Sequence, residues 1–267
     1  MSMNMSSEFS STTCNGLKGK TALISGGGKG IGKGIALALA RQGVNVAIGC
    51  NANPGMAEDT LKELRTMTDA ILIPSDVSTP EGCQKLIDET VKAFNGLDIL
   101  VSNAAIQTHH SVLESNQSIF RNVLNINLRA AMLLMNGAYP HLKASGAGRV
   151  IMISSVHGKR PTDFDAAYAV SKGGMEMLCR EAAIAYGKDM ITVNIIAPGG
   201  VQIEGKTGNP KPFSIKPIKR EKRYFPFPMG RWGLPSDIAA AACFLASPDS
   251  EHISGTTIRV DGCSMLL

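Results

Sequence analysis

Thr21-Ala22-Leu23-Ile24-Ser25-Gly26-Gly27-Gly28-Lys29-Gly30-Ile31-Gly32 is the stretch that decides the fold. Its first five residues make a short apolar run of the length expected for a buried strand. Five glycines occupy the next seven positions, and the segment from Lys33 to Arg41, with Gly34-Ile35-Ala36-Leu37-Ala38-Leu39-Ala40 inside it, reads as a helix. Strand, glycine turn and helix in that order are what a nucleotide phosphate needs. Glycines let the backbone approach a pyrophosphate with no Cβ in the way, and the helix start offers unpaired N–H groups and the positive end of its dipole. The spacing is Gly-x-x-x-Gly-x-Gly, through Gly26, Gly30 and Gly32. A glycine run alone is equally a plain tight turn. Its setting favours a dinucleotide phosphate site at Gly26, Lys29, Gly30, Ile31 and Gly32.

The rhythm continues along the chain. Strands are expected near 20–25, 44–49, 70–74, 97–101, 148–153, 190–196 and 256–260, and helices near 30–42, 55–68, 80–95, 112–140, 164–187 and 235–247. Short apolar strands separated by helices argue for a parallel sheet covered on both faces. The expected fold class is α/β: a single-domain, Rossmann-like, doubly wound parallel seven-stranded sheet with helices on both faces. Asn125, Asn127 and Gly137 predict a kink in the 112–140 helix. From 199 to 230 the periodicity stops, and Pro210, Pro212, Pro217, Pro226 and Pro228 intervene. A segment of that kind is a substrate lid or a disordered loop; its place after the sixth strand favours the lid. Its basic residues, from Lys206 to Arg223, serve a solvated surface as readily as an anionic substrate. Residues 1–16, rich in Ser, Thr and Met, are expected as a disordered tail, leaving 17–267 as the dinucleotide-binding domain.

Tyr168-Ala169-Val170-Ser171-Lys172 carries the chemistry. Residues at this spacing share one helix face. A phenol has an ordinary pKa of about 10, and a nearby ammonium stabilises its phenolate. The pair is therefore expected to make a tyrosine that exchanges a proton near neutral pH. Taken alone, the same spacing is also an ordinary amphipathic helix with an exposed lysine.

Together these motifs resemble the short-chain dehydrogenase/reductase family over about residues 17 to 263, in the family's order. Ser25 to Gly32 is similar to its glycine turn, and Asp76-Val77 to its adenine-contacting pair. Ser102-Asn103-Ala104-Ala105 stands where Asn-Asn-Ala-Gly is usual. Asn127, Ser155, Tyr168 and Lys172 match the catalytic residues, with Ser155 thirteen positions before Tyr168. Pro198-Gly199, Arg231-Trp232-Gly233 and Val260-Asp261-Gly262 match later landmarks. The chain departs from the pattern at Ser25, Ser102 and Ala105, at Ile203, where a Thr often bonds the nicotinamide amide, and at Cys263, where Gly is usual. Cofactor residues implied by the resemblance are Gly26, Lys29, Gly30, Ile31, Gly32, Asn51, Asn53, Asp76, Val77, Asn103, Tyr168, Lys172, Pro198 and Val201.

Bulk properties narrow the partners. Net charge is +5 and aromatics are 5% of residues, with no recognition motif, which argues against nucleic acid. Cys14, Cys50, Cys83, Cys179, Cys243 and Cys263 lack close spacing, as expected for free thiols in a reducing, cytoplasmic setting. The histidines form no metal-ligand pattern, and no metal is expected. No apolar run is long enough to span a membrane, and the N-terminus lacks a signal-peptide core.

NADP(H) is the expected cofactor. The second strand ends Ile48-Gly49-Cys50-Asn51-Ala52-Asn53, without the carboxylate that would accept from an NAD ribose and repel a 2′-phosphate. Asn51 and Asn53 can donate to that phosphate, and Lys29 can neutralise it. The expected reaction is reduction of a small-molecule carbonyl. In it Ser155 polarises the oxygen, Tyr168 gives the proton, Lys172 lowers the Tyr168 pKa, and Asn127 holds a water leading to Lys172. By resemblance the substrate is a 3-oxoacyl chain or a polyhydroxyaromatic of fungal type. Two other readings stay open. Asp165, one turn before Tyr168, is most simply a solvated first-turn acid, but facing the pocket it would suit an imine or iminium substrate, as in alkaloid cyclisation. A non-catalytic dinucleotide sensor is the second. The resemblance also implies a homotetramer or homodimer built on the 112–140 and 164–187 helices, where Ala130, Ala131, Met132, Ala182 and Ala183 permit close packing. Those residues could equally face the sheet.

Overall fold

Along β1 to β6 alternate residues enter two separate apolar layers, and for that reason the sheet carries helices on both sides. The structure, a computed structural model, describes residues 14, 16–51, 54–162, 164–203 and 228–266. On β1 (Thr21–Ser25), Ala22 and Ile24 join one layer and Leu23 the other. Strand β2 (Asn45–Cys50) divides Val46 and Ile48 from Ala47 in the same way. Leu23 and Ile24 are fully buried, and each stabilises the fold by about 2 kcal/mol.

The remaining strands are β3 (Ala70–Pro74), β4 (Ile99–Ser102), β5 (Arg149–Ile153), β6 (Thr192–Pro198) and β7 (Thr257–Val260). All seven pair in parallel, in the order β3-β2-β1-β4-β5-β6-β7. The first layer holds α1 (Gly30–Arg41), α2 (Pro54–Leu64) and α7 (Pro235–Ala246); the second holds α3 (Pro80–Phe94), α5 (Ala130–Ala144) and α6 (Ala166–Gly187). The doubly wound fold class is as expected. Strand order reverses at β1, which lies between β2 and β4. A crevice opens beyond the C-terminal strand ends at such a switch point, and ligands of open α/β sheets bind there.

The helix expected over 112–140 differs. Asn116 caps α4 (Gln117–Leu124) by accepting from the Ile119 N–H at 3.0 Å, so 112–116 stays a loop. A π-helical turn, Asn125–Arg129, then joins α4 to α5. The deviation falls at the two asparagines, where an extra residue enters the helix, and not at Gly137 inside α5. Cys14, within the stretch read as a tail, is half-buried against the first apolar layer. Residues 204–227, the bulk of the expected lid, lie outside the described residues, as does Asn53.

Of the residues expected to form a subunit interface, Ala130, Ala131 and Ala182 are buried in the second layer, facing the sheet, and Ala183 packs against it. The outward apolar side chains are Met132 on α5 and Val170, Met177 and Ile184 on α6, the last three seven residues apart.

Candidate active site

Ser25 closes β1 and holds two strands together. Its Oγ accepts from the Asn103 and Ala104 N–H groups at 3.0 and 3.1 Å, just beyond β4. Asn103 Nδ2 donates to the carbonyls of Ser25 and Gly26, both at 3.0 Å. Asn103 thus braces the glycine turn from behind, so a structural role explains its amide. Gly26 has φ +66°, and a Cβ on Gly32 would lie 2.2 Å from the Gly26 carbonyl oxygen. Only glycine fits either position.

Lys29 occupies the N-cap of α1 with no side-chain cap bond, and the first turn has no acidic residue. The N–H groups there, Ile31 and Gly32 among them, stand uncapped at the positive end of the helix, a setting that fits a dinucleotide phosphate. Lys29 is exposed beside the end of β2. Burial pushes the Cys50 thiol up, and the Lys29 ammonium pulls it the other way. Asn51 is exposed next to it. Asp76 is exposed at the end of β3 and accepts from the Ser78 N–H at 2.9 Å, while Val77 is buried in the second layer. Pro198 ends β6, Val201 bridges to Gly233, and Ile203 lies over the turn, its Cγ2 3.3 Å from where a Gly30 Cβ would be.

Beyond β5 the four residues of the expected catalytic set come together. Ser155 is buried; its Oγ accepts from the His157 N–H at 3.2 Å, and its side chain hydrogen-bonds Tyr168. The neighbouring Ser154 is occupied elsewhere, donating to the Lys172 carbonyl at 3.1 Å. Lys172 is 2% exposed, donates from Nζ to the Ile153 carbonyl at 2.8 Å, and lies 5.5 Å from the Tyr168 ring centroid.

Two expectations are corrected here. The Tyr168 phenol is not acidified on balance in the resting site, because burial outweighs what opposes it. Burial pushes the phenol above its ordinary value and the Asp165 carboxylate adds to the rise, while the Ser155 hydrogen bond opposes them. Burial also pushes the Lys172 amine from 10.5 down to about 7. Asp165 is neither solvated nor turned to the pocket. It is wholly buried as the N-cap of α6 and accepts from the N–H groups of Thr108, His109 and Tyr168 at 2.9, 3.2 and 3.4 Å. The Asn127 side chain is held by the backbone of Ile106 and by Ser171. Its Oδ1 accepts from the Ile106 N–H at 2.9 Å, and its Nδ2 donates to the Ile106 carbonyl and to Ser171 Oγ at 3.0 and 3.1 Å. Ser171 Oγ in turn donates to the Tyr168 carbonyl at 2.7 Å, so Asn127 braces the first turn of α6.

Sequence reasoning missed Ser171, His109, His157 and Phe164. His157, two residues after Ser155, was the most visible of them.

A family model described as enoyl-(acyl carrier protein) reductase matches residues 26–263. The chain belongs to the short-chain dehydrogenase/reductase family. It is 35% identical to a hydroxynaphthalene reductase-like protein, Arp2, of Metarhizium robertsii, over 96% of this chain and 98% of that one. It is 36% identical to the hydroxynaphthalene reductase arp2 of Aspergillus fumigatus, over 92% and 93%. It is also 34% identical to glucose 1-dehydrogenase 2 of Bacillus subtilis, over 92% and 95%. Among solved structures, acetoin dehydrogenase YohF of Salmonella typhimurium aligns with a TM-score of 0.85 at 28% identity, over 92% and 96%. Membership makes this short-chain dehydrogenase/reductase an oxidoreductase of small molecules that uses a nicotinamide dinucleotide. Among the described residues no helix is long and apolar enough to cross a membrane.

Proposed function

We propose that the protein is an NADPH-dependent reductase of a carbonyl in a small organic substrate, with Tyr168 as proton donor. One observation carries the reading: Ser155 is hydrogen-bonded to Tyr168 beyond the C-terminal end of β5, with Lys172 packed beside the same ring. A protonated phenol is ready to give a proton to a forming alkoxide, as reduction requires. Ser155 donates to the substrate oxygen and stabilises the charge that develops there. Lys172, 5.5 Å from the ring centroid, stabilises the phenolate once the proton has left. Asn127 and Ser171 keep the first turn of α6 in place.

When bound, the dinucleotide supplies the hydride. Gly26, Gly30, Ile31 and Gly32 would hold its pyrophosphate at the uncapped start of α1, with Asp76 and Val77 at the adenine and Pro198 and Val201 on the nicotinamide side. The missing carboxylate after β2, with Lys29 beside Cys50, supports NADPH over NADH; Asn51 and Asn53 would donate to the 2′-phosphate. The substrate classes are a 3-oxoacyl chain or a polyhydroxyaromatic, the latter matched by the names of the fungal relatives. The six cysteines are in no disulfide, which suits a reducing, cytoplasmic compartment. The outward row Val170, Met177 and Ile184 on α6, with Met132 on α5, would seat a second copy in a homodimer or homotetramer.

The test is NADPH oxidation followed by absorbance over a panel of ketones, with Tyr168→Phe beside the wild type. The expected outcome is a loss of about 10²–10⁴ in kcat with NADPH binding retained. Binding without oxidation of NADPH by any ketone would turn the reading toward a dinucleotide sensor.

A further inference from the structure

We propose that His109, Phe164 and His157 form a ring-lined wall of the substrate site that selects a flat, hydroxylated aromatic over a flexible acyl chain. The inference rests on the carbonyl-reductase reading above and chooses between its two substrate classes.

The wall is built from the loops that leave the C-terminal ends of β4 and β5, the edge onto which the glycine turn also opens. One carboxylate joins these loops to the catalytic helix. Asp165 accepts from Thr108 and His109 on the first loop and from Tyr168 on α6. Phe164 immediately precedes Asp165, so its position is tied to that of Tyr168 by a single cap. His157 is tied to Ser155, whose Oγ accepts the His157 N–H at 3.2 Å.

The rings meet each other. Phe164 stacks on His109 with centroids 5.9 Å apart and planes 24° from parallel, and it meets His157 edge-on at 5.9 Å and 84°. Such pairs are attractive beyond the area they bury. His109 is held at φ +55°, a left-handed conformation that few residues besides glycine, asparagine and aspartate adopt readily. The bonds from Asp165 to the His109 and Thr108 N–H groups hold it there. With one face stacked on His109, Phe164 is still 45% exposed, a large apolar ring open at the rim of a polar site.

His157 adds hydrogen-bonding direction. Its Nδ1 lies 3.2 Å from the Arg160 carbonyl, which can only accept. In the neutral ring Nδ1 therefore carries the hydrogen, and Nε2 is left as an acceptor. Ring faces beside an acceptor fit a planar ring bearing hydroxyl donors. An acyl chain has neither a π-face for Phe164 nor a hydroxyl for Nε2.

Two readouts test this. The first is fluorescence titration of a dihydroxynaphthalene and of plain naphthalene, which requires no turnover. Phe164→Leu keeps apolar bulk without the ring and should weaken both ligands about three- to tenfold. His157→Phe keeps a ring without the acceptor and should weaken only the diol, about fivefold. His109→Asn, a residue that tolerates the left-handed backbone, should behave like Phe164→Leu. The second readout is the ratio of kcat/KM for an aromatic diketone to that for butanedione, which should fall about three- to tenfold in Phe164→Leu. Wild-type reduction of both diketones with diol affinity and ratio unmoved by these variants would overturn the ring wall and leave the reductase reading standing. Diol binding that weakens as stated, in a protein that reduces no carbonyl, would uphold the wall and sink the reductase reading.

Discussion

Replacing Lys172 by Met should stabilise the fold at neutral pH and progressively lose that advantage as pH rises. The amine is fully buried, and its value in the fold is about 7 against an ordinary 10.5. The unfolded chain therefore binds the proton more tightly, and wild-type stability must rise with pH between those two values. The cost of burying the amine works out at about 4 kcal/mol at pH 7 and about 2 kcal/mol at pH 9. Methionine keeps nearly the same volume but removes the donor to the Ile153 carbonyl, a loss of about 1–3 kcal/mol at any pH. The variant should thus exceed the wild type by about 1–3 kcal/mol at pH 7 and fall back by about 2 kcal/mol by pH 9. Equilibrium urea denaturation of both proteins from pH 6 to 9 measures the difference directly. A difference that does not change with pH, or a variant less stable than the wild type at pH 7, would refute the claim that burial governs Lys172. Activity should be lost at every pH.

Lys29→Ala should raise KM for NADPH about tenfold and leave KM for NADH nearly unchanged; an equal rise in both would remove Lys29 from the 2′-phosphate. Cys263, at φ +68°, stands where glycine relieves about 1 kcal/mol of backbone strain. Cys263→Gly should accordingly raise Tm by about 2–4 °C, and a drop in the melting curve would mean that packing by the thiol outweighs the strain. Asp165→Ala removes the α6 cap and orphans the Thr108 and His109 N–H groups, at a cost of about 2–4 kcal/mol. Ketone turnover should fall with stability in that variant, whereas selective loss of imine turnover would restore the cationic-substrate role.

The glycine turn and the seven strands were legible because their signals are local: run length, period and the absence of a side chain. What failed depended on position or environment. Placing the start of α6 near 164 made Asp165 a first-turn acid; the helix begins at Ala166, so Asp165 is its cap. An Asp directly before an apolar helical run is a cap signal in its own right. The break at Asn125–Arg129 falls at the two asparagines that predicted a kink, but not its π-helical form, and Gly137 takes no part. Small residues on α5 and α6 did not say which face they occupied; Ala130, Ala131 and Ala182 went to the sheet. His109 lies on the segment after β4, and His157 and Phe164 lie on the segment after β5, so only folding brings the three rings together.

The largest correction concerns the catalytic pair. A four-residue spacing places two groups near each other but carries no information about the solvent around them. Here the loss of water dominates and acts on the two groups in opposite senses, raising Tyr168 and lowering Lys172. Both shifts favour the neutral form, so the resting site buries a protonated phenol beside an amine that is only partly charged at pH 7. That combination costs less than a buried phenolate–ammonium pair, whose desolvation must be offset by near-ideal geometry. A resting phenolate would take a proton from an alcohol; a resting phenol gives one to an alkoxide. In the proposed reduction, charge on Tyr168 would arise only after that transfer, when Lys172 in its protonated form would stabilise the phenolate from beside the ring.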